Sequence, residues 1–225
     1  VGELIAHALR RGCNKFIIGL GGSGTSDAGK GMLQALTDSF APHATIHDVL
    51  SRETAGCQFT LASDVRNPLC GKEGAAFIFA PQKGATPQRV EELDRRARQF
   101  ADSSARLMGK DASTQPGAGA AGGLGYAFMQ YFNATAQSGA DLLLDLTAFD
   151  QQLEQANLVI TGEGHADRQT LMGKLPEHIL QRARKHHVPV WLVAGQTDDA
   201  EELIAAGFSR VDKLTPEGMN LQEAI

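Results

Sequence analysis

The segment Gly21-Gly22-Ser23-Gly24-Thr25-Ser26-Asp27 places glycines, hydroxyls and one carboxylate after the apolar run Phe16-Ile17-Ile18-Gly19-Leu20 and before Met32, Leu33 and Leu36 at helical spacing. Glycines let a chain turn several backbone N–H groups toward one point, and the start of the following helix adds partial positive charge. Ser and Thr hydroxyls add donors, so the segment reads as a seat for a phosphate or a carboxylate. A strand-to-helix turn with Ser26 or Asp27 as N-cap accounts for the same residues equally well. The stretch from Gly24 also matches the opening of the G-x-x-x-x-G-K-[ST] phosphate loop through Lys30. Gly31 stands where that loop needs the hydroxyl that holds magnesium, so a P-loop is disfavoured. Gly19-Leu20-Gly21-Gly22-Ser23-Gly24 spells G-x-G-x-x-G, yet no acidic residue about twenty positions on closes a following strand, which disfavours a dinucleotide site.

Two further groups carry polar side chains past apolar runs. In Ser63-Asp64-Val65-Arg66-Asn67-Pro68, Asp64 and Asn67 could face a crevice, although an Asx turn before proline would look the same. In Pro81-Gln82-Lys83-Gly84, Gln82 and Lys83 could reach an anionic ligand or simply begin the next helix. The strongest group is Ile160-Thr161-Gly162-Glu163-Gly164-His165-Ala166-Asp167, followed by Gln169, Thr170, Gly173 and Lys174. Glycines enclose Glu163 at a strand end, Asp167 follows four residues on, and a lysine lies beyond. Phosphoryl transfer uses carboxylates to hold a metal or orient the attacking hydroxyl, and cations or amides to carry charge on the moving phosphoryl. A turn with a helix cap is the purely structural alternative. The histidines lack H-x-x-x-H or H-E-x-x-H spacing, which argues against a zinc hydrolase, and His186-His187 complement a helix end.

These groups must be positioned by regular elements. Leu4, Ile5, Ala8 and Leu9 share one helical face, closed by Gly12, and a strand at 15–20 follows. Residues 37–56, with Pro42, His43 and His47, read as loop with one short helix. A second strand spans 59–62, and 75–80 is a third apolar run. Residues 87–108 repeat Val90, Leu93, Ala97 and Phe100 at helical intervals, with Thr86 as N-cap, Pro87 in the first turn and Gly109 at the C-terminal cap. The stretch from 116 to 125, glycine and alanine apart from Pro116 and Leu124, reads as a tightly packed helix start. Beyond it, strands at 158–160, 188–194 and 208–214 alternate with helices at 175–187 and 199–207, the pattern of a parallel sheet covered by helices.

The 225 residues suffice for one large domain or two modest ones. A formal net charge of -5 gives no electrostatic reason to expect nucleic acid or an anionic membrane as partner. Cys13, Cys57 and Cys70 show no C-x-x-C pairing, so neither a disulfide framework nor a zinc site is expected, and a reducing, cytoplasmic setting fits. No apolar run approaches the roughly 18 residues of a membrane helix. The sequence starts without methionine inside a helical pattern and stops in another at 221–225, so both ends read as cut.

Taken in order, the glycine segment with Ala28-Gly29 and Gly31-Met32-Leu33, then Ser63-Asp64-Val65-Arg66-Asn67-Pro68-Leu69, Phe79-Ala80-Pro81-Gln82-Lys83-Gly84-Ala85-Thr86, Gly117-Ala118-Gly119-Ala120-Ala121-Gly122-Gly123-Leu124-Gly125 and the Gly162 to Lys174 group resemble the glycerate kinase family of the bacterial two-domain type. The resemblance implies two α/β domains with an active site in a cleft between them: 1–155, a larger domain with glycine-rich loops and a mixed sheet, and 156–225, part of a Rossmann-like parallel sheet covered by helices. It implies transfer of the ATP γ-phosphate to a hydroxyl of D-glycerate with Mg²⁺, giving 2-phosphoglycerate or 3-phosphoglycerate. By motif, Gly21, Gly22, Ser23, Gly24, Thr25, Ser26, Asp27, Asp64, Asn67 and Lys83 become candidate substrate or phosphate contacts, together with Gly162, Gly164, Gln169, Thr170 and Lys174. Asp167 is the first candidate for a base-like or Mg²⁺-orienting carboxylate, with Glu163 second. A homodimer is compatible with this reading. The family's opening strand and its Asp-Ser-Phe-Lys segment are not in this sequence, and the 36–59 connection is short. A catalytically inactive binding or regulatory fragment, or a kinase for another small hydroxy acid, therefore stand as alternatives.

Overall fold

The computed structural model describes residues 1–40 and 45–216. Pro42, His43 and the helical pattern at 221–225 lie outside them. By internal contacts the chain divides into units Val1–Gly139 and Ala140–Ile225.

The first unit is built on a sheet of order β1-β2-β3, with β1 Lys15–Gly19, β2 Gln58–Ala62 and β3 Thr135–Gln137. Both pairings are parallel, Phe16 facing Phe59 and Ala62 facing Gln137. This corrects the mixed sheet expected from the resemblance: among the described residues each connection is a long helical crossover, which returns a strand in the same direction, and no tight hairpin reverses one. Helices α1 (Gly2–Arg10) and α2 (Lys30–Phe40), the single turn α3 (Ile46–Asp48), α4 (Ala75–Phe79), α5 (Pro87–Met108) and α6 (Ala120–Phe132) complete the unit. The core is aromatic. Phe16 stacks on Phe59 at 4.6 Å between ring centroids, and Phe59 meets Phe132 at 5.0 Å. Burying each such ring contributes roughly 1.5–3 kcal/mol.

The third apolar run, 75–80, is helix. Six apolar residues do not distinguish a buried strand from a buried helical turn by periodicity. Here Ala75, Ala76 and Ala80 are buried while Phe77 and Ile78 are exposed, which is a helical face. Helix α5 has the ends its sequence prescribes: the Thr86 hydroxyl accepts from the Arg89 amide, Pro87 sits in the first turn, and Gly109 closes the helix in the left-handed region at φ 68°. The glycine and alanine run enters α6 through left-handed backbone at Ala121, Gly122 and Gly123.

The second unit contains α7 (Gly139–Leu146), α8 (Phe149–Leu153), β4 (Val159–Ala166), α9 (Leu175–Lys185), β5 (Val190–Thr197), α10 (Ala200–Ala206) and β6 (Arg210–Lys213), with sheet order β4-β5-β6, all parallel. The nearly buried Arg182 of α9 ties α7 and α8 to this unit, pairing with Asp145 at 2.6 Å, Asp150 at 2.8 Å and Asp141 at 3.1 Å. The 1–155 and 156–225 division read from the sequence and the contact division thus differ by these two helices. No helix among the described residues is long and apolar enough to cross a membrane.

Candidate functional site

In the first unit, parallel register brings the ends of β1 and β2 together: the Leu20 amide donates to the Ala62 carbonyl, and the Ser63 amide to the Gln137 carbonyl. Everything after Gly19 and Ala62 therefore emerges at the carboxyl edge, where open α/β sheets hold their ligands. The glycine segment does not hang free there. The Lys83 ammonium donates to the Ser23 hydroxyl at 3.0 Å and to the Thr25 carbonyl at 2.7 Å. Partial burial holds the Lys83 pKa below the usual lysine value. Asp27 is the cap of α2, its carboxylate accepting from the Gly29 amide at 3.0 Å and the Gly31 amide at 2.8 Å. The loop is thus a capped strand-to-helix turn whose middle is bound by Lys83.

The glycine and alanine run forms the floor beneath the loop. The Ala28 amide donates to the Gly122 carbonyl, and a Cβ on Gly122 would lie 2.0 Å from the Thr25 carbonyl oxygen. A Cβ on Gly123 would lie 2.7 Å from the Ala28 Cα. The same run holds the second polar group, since the Gly119 amide donates to the Asn67 carbonyl at 2.9 Å.

Cavities lie on either side of the loop. One of about 480 Å³ is lined by Thr25, Asp27, Lys30, Lys83, Arg89 and Arg96; another of about 400 Å³ is lined by Gly21, Gly22, Ser23, Val65, Gln82 and Lys83. Neither Asp64 nor Asn67 lines them. The Asn67 side chain donates to the Glu73 carbonyl at 2.8 Å and shapes the 67–74 turn, while Asp64 is exposed at the end of β2. Sequence reading weighed Lys30 only as the lysine of a disfavoured P-loop and passed over Arg89 and Arg96. A usable signal was the i, i+7 spacing of the two arginines, which puts them on the face of α5 that carries Leu93.

In the second unit, Glu163 lies within β4 rather than just past it. Its carboxylate accepts from the Thr170 hydroxyl and meets the Lys174 ammonium at 3.2 Å. Lys174 also stands 3.9 Å from Asp167. Asp167 caps the short turn at Arg168–Leu171, accepting from the Gln169 amide at 2.8 Å, and its own amide donates to the Thr170 hydroxyl. Thr170 is fully buried, and its hydroxyl links the Glu163 carboxylate to the Asp167 backbone amide. Gln169 is exposed, its contribution here being its amide. Gly162 is demanded by packing, a Cβ there lying 2.8 Å from the Val193 carbonyl oxygen, whereas Gly164 faces open space. His165 pairs with Asp198 at 2.8 Å, a partner the sequence reading did not name.

Mg²⁺ is usually held by one or two carboxylates completed by substrate phosphates and water. Glu163 and Asp167 converge on one cation, the Lys174 ammonium, and so fit that mode. Among the described residues no cluster of three or more His, Cys, Asp or Glu forms an all-protein cage.

The sequence model described as "Glycerate kinase family" matches residues 1–225. The chain belongs to the glycerate kinase family. Among similar family members, a glycerate kinase from Bacillus cereus is 38% identical over 240 residues, covering 99% of this chain and 63% of the relative. The glycerate 2-kinase of Escherichia coli K12 is 36% identical over 240 residues, with the same coverage of 99% and 63%. A solved structure from Salmonella typhimurium LT2, assigned by name to glycerate kinase 2, superposes with TM-score 0.79 at 36% identity, covering 99% of this chain and 62% of that one. The sequence given therefore spans just under two thirds of these glycerate kinase relatives.

Proposed function

We propose that this chain forms part of an ATP-dependent glycerate kinase that transfers the γ-phosphate of ATP to a hydroxyl of D-glycerate, giving 2-phosphoglycerate or its 3-phosphate isomer, in the cytoplasm. The observation that carries the reading is the polar seat made by Lys83, Ser23 and Thr25 at a sheet's carboxyl edge, in a chain of this family. A lysine fixed against a glycine loop brings positive charge to a place where backbone amides can also reach an oxyanion.

Glu163 serves in this reading as the group that receives the proton of the attacking hydroxyl. The glycerate oxygen forms the new bond to phosphorus, the bond between phosphorus and the β–γ bridging oxygen breaks, and ADP leaves with that electron pair. The Thr170 hydroxyl fixes the rotamer of Glu163, and Lys174 carries charge near the carboxylate pair. Asp167 would hold Mg²⁺, which when bound would supply charge that neutralises the transferring phosphoryl. A coupled assay of the protein with D-glycerate, ATP and Mg²⁺, with the two phosphoglycerates resolved, tests the proposal. ATP- and D-glycerate-dependent formation of either isomer is expected; absence of turnover with any small hydroxy acid would reject it.

A further inference from the structure

Helix α5 turns a basic face toward the glycine loop. Arg89 and Arg96 line the 480 Å³ cavity from that helix, Lys30 lines it from the start of α2, and Lys83 separates it from the smaller cavity beyond the loop. The acidic groups around it are already engaged. Asp27 gives both oxygens to amides of the α2 start, and Glu92 bridges the arginines, at 2.6 Å from Arg89 and 3.6 Å from Arg96. This gathering of cations occurs in a chain whose formal net charge is -5, so it is a local feature and not a consequence of composition.

We infer that Lys30, Lys83, Arg89 and Arg96 form a binding site for a multiply charged phosphate group. A carboxylate such as that of glycerate carries one charge and is satisfied by one cation or one bidentate arginine. Filling this cavity with compensating charge takes a ligand with several anionic oxygens, and two arginine forks beside a lysine suit phosphate geometry. Arg89 and Arg96 are held by Glu92 rather than by the fold, so both can exchange that carboxylate for a ligand's oxygens without disturbing the core. Two sources share the chemistry, the phosphate chain of the nucleotide and the phosphorylated hydroxy acid. The choice between these sources rests on the kinase reading, whereas the site itself rests on the cavity.

Titration calorimetry with tripolyphosphate, ATP and 2-phosphoglycerate as separate probes tests it, at two salt concentrations. The double variant Arg89→Ala/Arg96→Ala should bind tripolyphosphate about tenfold or more weakly, with a shallower salt dependence. The control Arg95→Ala/Arg106→Ala removes the same charge from exposed positions of α5 outside the cavity and should stay within about twofold of the parent. Loss with ATP alone assigns the nucleotide, and loss with 2-phosphoglycerate alone assigns the product. Equal weakening in both double variants, or no binding of any probe by the parent protein, overturns the site. Turnover with unchanged kinetics in Arg89→Ala/Arg96→Ala rejects the site and leaves the kinase reading intact; tripolyphosphate binding that depends on these arginines without turnover does the reverse.

Discussion

Lys83 reaches back 60 residues along the chain to donate to the Ser23 hydroxyl at 3.0 Å, and with the Thr25 carbonyl it fixes the middle of a loop that glycine would otherwise leave loose. The ammonium thus holds the loop in shape and, in the proposed kinase reading, brings charge to the phosphate. Lys83→Met keeps the length of the stem and removes the charge and both bonds. It should lower kcat/KM by about tenfold to a hundredfold, with a loss of stability of only about 1–2 kcal/mol. Ser23→Ala should cost less activity, because Lys83 retains the Thr25 carbonyl. Steady-state kinetics beside thermal unfolding check this, and a Lys83→Met enzyme of normal kcat/KM would make the lysine a tether alone.

Gly122 tests the floor of the loop. Its φ of 67° puts it in left-handed backbone, and a Cβ added there would come within 2.0 Å of the Thr25 carbonyl oxygen, a clash against main chain that cannot rotate away. Gly122→Ala should destabilise the protein by about 2–4 kcal/mol. Gly24→Ala, where a Cβ meets nothing within 4 Å, should change stability by no more than about 0.5 kcal/mol. Chemical denaturation of both variants provides the comparison, and equal stability would show that the loop moves as readily as its glycine content suggests.

The parts of this fold that could be read from residues are those decided locally. Thr86, Pro87 and Gly109 mark the ends of α5 because caps and prolines act within a turn of where they stand. The packed state of 116–125 was legible from its small residues, but its partner, the Thr25 to Ala28 backbone, was not, since nothing local encodes a neighbour from a distant part of the chain. Arg89 and Arg96 escaped notice because a charged helix face is normally solvated, and only the cavity beside them gives it another meaning. Asp167 shows the converse. Its place four residues after Glu163 suggested chemistry with a cap as the structural alternative, and the cap is what the geometry of Gln169 and Thr170 shows.

Cysteine chemistry offers an independent check on the packing around 70–74. Burial first, and then the negative charge of Asp94, push the Cys70 thiol up to about 11. The sign is that of a suppressed thiolate: at pH 8 about one Cys70 in a thousand is ionised, and the fraction grows only as pH rises toward that value. Cys13 is exposed on the surface. Brief iodoacetamide treatment of the native protein at pH 8, followed by peptide mass spectrometry, should modify Cys13 and leave Cys70 intact. Labelling of Cys70 at a rate equal to Cys13 would mean that the turn whose Gly71 amide donates to the Asp94 carboxylate at 2.7 Å opens readily.

Glu163 and Asp167 are separated by substitution that keeps shape and removes charge. Glu163 is the more sheltered, its side chain 14% exposed against 28% for Asp167, and it accepts the hydroxyl of the buried Thr170. Glu163→Gln preserves an acceptor for that hydroxyl but cannot take a proton, so kcat should fall by more than about a hundredfold while the melting temperature changes little. Asp167→Asn retains the oxygen that caps Gln169, so a comparable fall in kcat, accompanied by a weaker dependence on Mg²⁺, is expected if its second oxygen works on the transferring groups. A near-normal rate for Asp167→Asn would confine that residue to the cap and leave the chemistry to Glu163. A near-normal rate for Glu163→Gln as well would remove this cluster from the reaction and make its pairing with Lys174 a structural salt bridge.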